Sequence, residues 1–244
     1  MFNPQAPSPE VSTRALMFQH ALAAAFKARR QNLPPPPASL PALLDVSKNG
    51  VHGILARPAC RDALGEIRAR LFHTPGRDGE AQALWHESLA AAVFAARVAQ
   101  LREASVTAAF VGGLLHRAGE SVALKILARV ELEYRLKVDS GTRRDWCTSH
   151  GPELAERLVR TWSLAPEVGS CVLGWMRFGE FAEVSVQSSA LYFGRLFAIE
   201  LLHPRFCVPG ALDQAAADLG LDAGQMREVR KEEAHARELI RALD

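Results

Sequence analysis

Two segments of the chain hold the side chains best placed to do chemistry. In AAFVGGLLHRAGES, residues 108–121, His116 and Arg117 close an apolar run. In ALWHESLAAAVFAARVAQL, residues 83–101, Glu87 shares a helical face with Ala90, Phe94, Val98 and Leu101. An imidazole ligates metals or moves protons near neutral pH. A guanidinium does neither, because it has no lone pair to offer and stays protonated. A carboxylate in line with four apolar side chains is at least partly buried and needs a cation nearby, or it must take up a proton. Gly112 and Gly113 cost a helix about 1 kcal/mol each against alanine, so a second backbone is expected to come close to them. If that neighbour is the helix of Glu87, Arg117 is its natural partner through a charge-assisted, bidentate hydrogen bond. The alternative is an arginine that points to solvent.

These residues need a scaffold, and the pattern around them is helical throughout. Apolar residues recur at spacings of three and four, and period-two runs rich in Val, Ile and Thr are missing, so the chain reads as all-α. Residues 1–10 read as a disordered start. Val11, Ala15, Phe18, Leu22 and Phe26 then form the stripe of an amphipathic helix that must lie on the body or on a partner. The run LPPPP at 33–37 ends it and divides the chain into an arm, 1–32, and a helical domain, 33–244. Within the domain, helices are expected near 39–47, 59–73, 79–102, 105–117, 121–136, 142–162, 166–178, 183–203, 210–219 and 222–242. Gly151-Pro152 is expected to break the sixth of these. The last segment, with Met226, Val229, Ala236 and Ile240 among interspersed charges, reads as a solvated amphipathic helix or a docking and dimer helix.

Composition narrows the partners. A formal charge of +2 gives no field that argues for nucleic acid or an anionic membrane, and no segment is long and apolar enough for a signal or a membrane span. Cys60, Cys147, Cys171 and Cys207 are scattered, with no C-x-x-C pair, which fits a reducing, cytoplasmic setting. There is no phosphate loop and no nucleophile elbow. Trp85, Trp146, Trp162 and Trp175 read as core.

The order of several weak motifs resembles a known family. Leu84-Trp85-x-x-Ser88 precedes Ala109-Phe110-x-x-Gly113-Leu114-Leu115-His116, and then come His150 and Trp162-x-Leu164 before Pro166-Glu167-Val168. Together with the opening NLPPPPASLPALLDV, this resembles the HDOD domain, a bacterial signalling relative of the HD-type metal-dependent phosphohydrolases, over roughly residues 33–220. The resemblance implies a compact multi-helix HD-like bundle, here with a short N-terminal arm. It implies regulation through contacts with other signalling proteins and no demonstrated catalysis.

The departures from that pattern carry the functional reading. Glu87 stands where a histidine is frequent, with His86 displaced by one position. Arg117 replaces the Asp of His-Asp, Trp175-Met176 stands where two histidines are frequent, and His150 lies about one residue too far from Trp162. A divalent metal wants neutral imidazoles and carboxylates, and a fixed guanidinium opposes it. The expectation is therefore a protein with no catalytic residue, no metal and no cofactor, in which Glu87, Arg117 and His116 occupy the degenerate site. His86 and His150 are weaker candidates. A homo-oligomer is open. Two alternatives stay beside it: a divergent phosphohydrolase using His86, His116 and His150, and a sensor in which Arg117 grips a phosphate-bearing ligand.

Overall fold

The computed structural model describes residues 9–29, 33–48, 57–175 and 185–244. These form α1 (Pro9–Arg29), a 3-10 helix (Leu40–Lys48), α2 (Pro58–Leu71), α3 (Asp78–Leu101), α4 (Val106–Leu115) and α5 (Ala118–Tyr134). α6 (Ser140–Thr161), α7 (Pro166–Gly174), α8 (Val186–Leu202), α9 (Ala211–Asp218) and α10 (Ala223–Leu243) complete the order, with a short 3-10 turn (Pro204–Phe206) after α8. No strand occurs among the described residues, as the helical periodicity predicts.

Helix starts follow local chemistry. Ser105, Asp139, Ser185 and Asp222 each accept a backbone N–H of the first turn, at Ala108, Thr142, Ser188 and Gln225. Pro58 and Pro166 take first-turn positions where a missing N–H costs nothing. Asp222 and Gln225 cap reciprocally.

α3 is the axle of the fold. It packs against α4, α8 and α10, and from Glu87 to Ala96 every residue is buried. Its alanines let the neighbours approach closely: a Cβ on Gly194 of α8 would stand 2.7 Å from Ala91 O and Ala95 N. Burial of α3, together with Phe94 stacked on Phe197 at 5.0 Å, supplies much of the hydrophobic driving force. α5 pairs with α6 on the other side of the site, and α7 lies on α4.

Two expectations change on contact with the structure. α6 does not break at Gly151-Pro152 but runs through Pro152. Proline there cannot donate to the carbonyl of Thr148, yet both residues are exposed and water can take that carbonyl. Gly151 serves close packing instead, since a Cβ there would meet Glu120 Cγ of α5 at 2.7 Å. The segment expected as a helix near 39–47 is a 3-10 helix. α10 is amphipathic as expected: Val229, Ala236, Leu239 and Ile240 are buried against α3 and α2, and the interspersed charges, among them Arg230, Lys231, Glu233 and Arg237, are exposed.

α1 lies on the body, against α5, with Leu22 buried and Phe18 and Phe26 packed on the core. Val11 and Ala15 fall outside the described side chains, and residues 1–8 outside the described residues, where most of the expected disordered start lies; its last two, Pro9 and Glu10, are helical. The carbonyl of Pro34 accepts from Trp162 Nε1 at 2.7 Å, which ties the proline run to α6.

Candidate functional site

Gly113 sets the distance between the two helices that matter. A Cβ there would lie 2.7 Å from Ala92 N and closer still to its Cα, so glycine alone lets α4 rest on α3 at this point. Gly112 faces α7, where its Cβ would meet Cys171 Cβ at 2.9 Å. Below the contact, α4 ends at Leu115 with His116 as C-cap, and Arg117 opens α5.

Arg117 stands between two carboxylates. Its Nη1 donates to Glu87 Oε1 at 2.6 Å and its Nη2 to Glu120 Oε2 at 2.6 Å. Arg195 of α8 brings Nε to 3.5 Å from the same Glu87 oxygen, while its guanidinium carbon lies 5.0 Å over the Trp175 ring. His116 is buried and packs edge-on to Trp175, with ring centroids 5.3 Å apart. Its Nδ1 lies 2.6 Å from the carbonyl of Gly113. A carbonyl only accepts, so Nδ1 carries the hydrogen and Nε2 the bare lone pair, which meets no donor among the described residues.

The charges follow from these contacts. Burial pushes the Glu87 carboxyl upward, but the guanidiniums of Arg117 and Arg195 outweigh it and hold it below its usual range. Burial would likewise depress Arg117, yet Glu87 and Glu120 raise it, so the pair is ionised on both sides. His116 is pulled down to about 3, chiefly by burial, and is neutral at physiological pH.

The two weaker candidates stand elsewhere. His86 Nε2 lies 2.6 Å from Asp244 Oδ1, on the α10 side of α3. His150 bonds the carbonyl of Trp146 through Nδ1 at 2.9 Å, stacks on that indole at 4.4 Å and meets Phe26 at 4.8 Å, under α1. Two residues of the cluster, Glu120 and Arg195, escape the sequence reading, while Trp175 enters it only as a core residue standing where a histidine is frequent. Glu120 was findable, three positions after Arg117 on one helix. Arg195 and Trp175 join through tertiary packing that periodicity does not carry. A second cluster went unseen as well: buried Glu131 accepts from Arg77 Nη2 at 2.7 Å, from Arg143 Nη1 at 3.2 Å and from Val138 N at 2.7 Å.

Beside the Glu87–Arg117 pair opens a cleft of about 490 Å³, bounded by α3, α5, α6 and α8. Arginines 117, 143, 144 and 195 and glutamates 80, 87 and 120 supply its charge.

The residues here do not fit a metal centre of the HD type. His116 offers a suitable lone pair, but Glu87 and Glu120 each give one oxygen to Arg117, whose guanidinium fills the space between them. Among the described residues no three His, Cys, Asp or Glu side chains converge as a metal would need.

No curated protein matches the sequence. A crystal structure named "Putative phosphohydrolase", from Shewanella amazonensis SB2B, superposes with a TM-score of 0.61 at 16% identity, covering 91% of this chain and 98% of that one. A likeness at that identity speaks for the fold. The family model described as HDOD domain matches residues 65–174, the stretch from α2 to the end of α7 that contains Glu87, His116 and Arg117. The helical bundle, the motifs and that span agree, and over residues 65–174 the chain is similar to an HDOD domain.

Proposed function

We propose that the protein is a non-catalytic regulator of bacterial signalling, working in the cytoplasm through contacts with other proteins, with residues 1–32 as an arm on the domain 33–244. One observation carries this reading: the Arg117 guanidinium is bonded to Glu87 and Glu120 where a hydrolase would need its metal. A guanidinium cannot be deprotonated to make room, and a divalent ion beside it would meet a fixed positive charge. Neutral His116, with its lone pair unused, is the remnant of a ligand set without the carboxylate that would complete it. The rival phosphohydrolase reading loses its residues too, since His86 is engaged with Asp244 and His150 with Trp146 and Phe26.

The test is metal loading. The purified protein is incubated with manganese, zinc or iron, desalted, and measured for bound metal by mass spectrometry and for hydrolysis of bis-p-nitrophenyl phosphate. Neither bound metal nor turnover is expected. A stoichiometric metal with turnover that His116→Ala abolishes would make the protein an enzyme.

A further inference from the structure

The arginines around the cleft divide into committed and uncommitted ones. Arg117 spends both terminal nitrogens on Glu87 and Glu120. Arg143 donates to Glu80 at 2.9 Å, to Glu131 at 3.2 Å and to the carbonyl of Val138 at 2.6 Å. Arg195 is different: it lies near Glu87 and over Trp175, but its buried Nε makes no hydrogen bond, and its terminal nitrogens donate to no described residue. Arg144, exposed on α6, has no ion pair among the described residues.

The balance of charge in the cleft is one positive unit, four arginines against three glutamates. Cys147, also in the wall, adds no negative charge, because burial pushes its thiol up to about 12. The rest of the wall mixes apolar side chains, Leu84, Leu124, Ile199 and, at the lip, Phe206 with 73% of its surface exposed, with the polar Ser140, Thr148 and His203. The volume is in the range that takes a small organic molecule, and apolar side chains set beside charged and polar ones suit a molecule that is itself part apolar and part charged.

We propose that this cleft binds a small amphipathic molecule bearing one oxyanion, a carboxylate or a phosphate ester, with the oxyanion on the terminal nitrogens of Arg195 and the apolar body between Leu84, Leu124 and Phe206. The guanidinium of Arg195 presents two parallel N–H groups that match either oxyanion. Its seat over the indole holds the planar head in place, so little side-chain freedom is lost on binding. Arg144 at the rim adds attraction at longer range. The grip differs from a sensor built on Arg117, whose terminal nitrogens are already taken. It gives the regulator proposed above an input, and it rests on that reading in one respect: a cleft that holds no metal must meet the anion with arginine.

The test uses 8-anilinonaphthalene-1-sulfonate, one anion on an aromatic body, titrated into the full chain in the presence of a chelator and followed by fluorescence. Saturable binding of one probe per chain is expected, weakened roughly tenfold by Arg195→Gln, the scale of one charge-assisted hydrogen bond. Phe206→Ala, at an exposed position that does not bear on folding, should weaken it severalfold, and uncharged N-phenyl-1-naphthylamine should bind less well than the anion. Octyl phosphate and octanoate then compete for the probe, and the better competitor names the head group. No saturable binding, affinity unmoved by both variants, equal binding of the uncharged probe, or displacement by neither competitor overturns the proposal. Binding that appears only after manganese loading overturns it together with the non-catalytic reading; absence of binding in a metal-free protein overturns it alone.

Discussion

Arg117 and Glu87 lie 30 residues apart in sequence, yet Nη1 and Oε1 meet at 2.6 Å with only 14% and 10% of the two side chains exposed. Arg117→Ala leaves both Glu87 and Glu120 without their cation. Removing one member of such a buried pair costs about 3–5 kcal/mol, which for a chain of this size lowers the melting temperature by roughly 10 °C. Scanning calorimetry measures it. Adding Glu87→Gln to that variant should recover part of the loss, since no ionised carboxylate then remains at that position, and a melting temperature unchanged by Arg117→Ala would mean that the pair is solvated.

The pair was legible in the sequence because two independent signals agreed. Glu87 stands in line with Ala90, Phe94 and Val98, which are buried, although α3 is buried on every side from Glu87 to Ala96 and not on that face alone. Gly113 called for a close backbone, and that backbone is Ala92, one turn further along the same helix. Helix types and rough limits were legible for the same reason, since α3 and α10 announce themselves by spacing. What stayed hidden depends on which faces meet. Arg195 reaches Glu87 only because Gly194 lets α8 lie on α3, and no periodicity within α8 states that partner. Pro152 does not end its helix, because the packing of α5 on α6 holds the helix together around it and local propensity does not carry that contact.

The glycines that place the site should therefore differ sharply from one that does not. Gly113→Ala drives a methyl into the backbone of Ala92, and Gly119→Ala drives one to 2.8 Å from Ala155 N and closer still to the carbonyl of Gly151. Each is expected to destabilise by about 1–3 kcal/mol or more, the cost of overpacking. Gly65, exposed on α2 with nothing within 4 Å of its missing Cβ, should show the opposite sign: Gly65→Ala stabilises by about 0.5–1 kcal/mol. Urea unfolding of the three variants decides it, and a stable Gly113→Ala would mean that α3 and α4 do not touch as described.

His86 works at a different place from His116, and its substitution should show that. Its Nε2 and Gln82 Nε2 both meet Asp244 Oδ1, while Arg68 bonds the carbonyls of Leu243 and Asp244, so these contacts hold the end of α10 to α2 and α3. His86→Ala is expected to speed amide hydrogen exchange in the last turn of α10 and to leave exchange at His116 and Arg117 unchanged. Faster exchange around Arg117 would place His86 in the cluster after all.

Acid should destabilise the protein through two proton-linked groups of the cluster, His116 first and Glu87 at lower pH. His116 takes its proton near 6.5 when unfolded but only at about 3 when folded, because burial disfavours the charged ring. Between those values the unfolded chain binds the extra proton, so stability is full above pH 6.5 and falls as pH drops, by up to about 1.4 kcal/mol per unit. Glu87 adds the same sign lower down. Its folded value lies below 4.5, so its contribution is present above that pH and is lost as pH falls through the folded value. In urea titrations between pH 4.5 and 8, wild type and His116→Gln should differ by an amount constant above neutrality and changing with pH below 6.5. A difference that stays flat across the whole range would mean that the folded protein accepts the proton on His116, and that the ring is not held neutral beside Arg117.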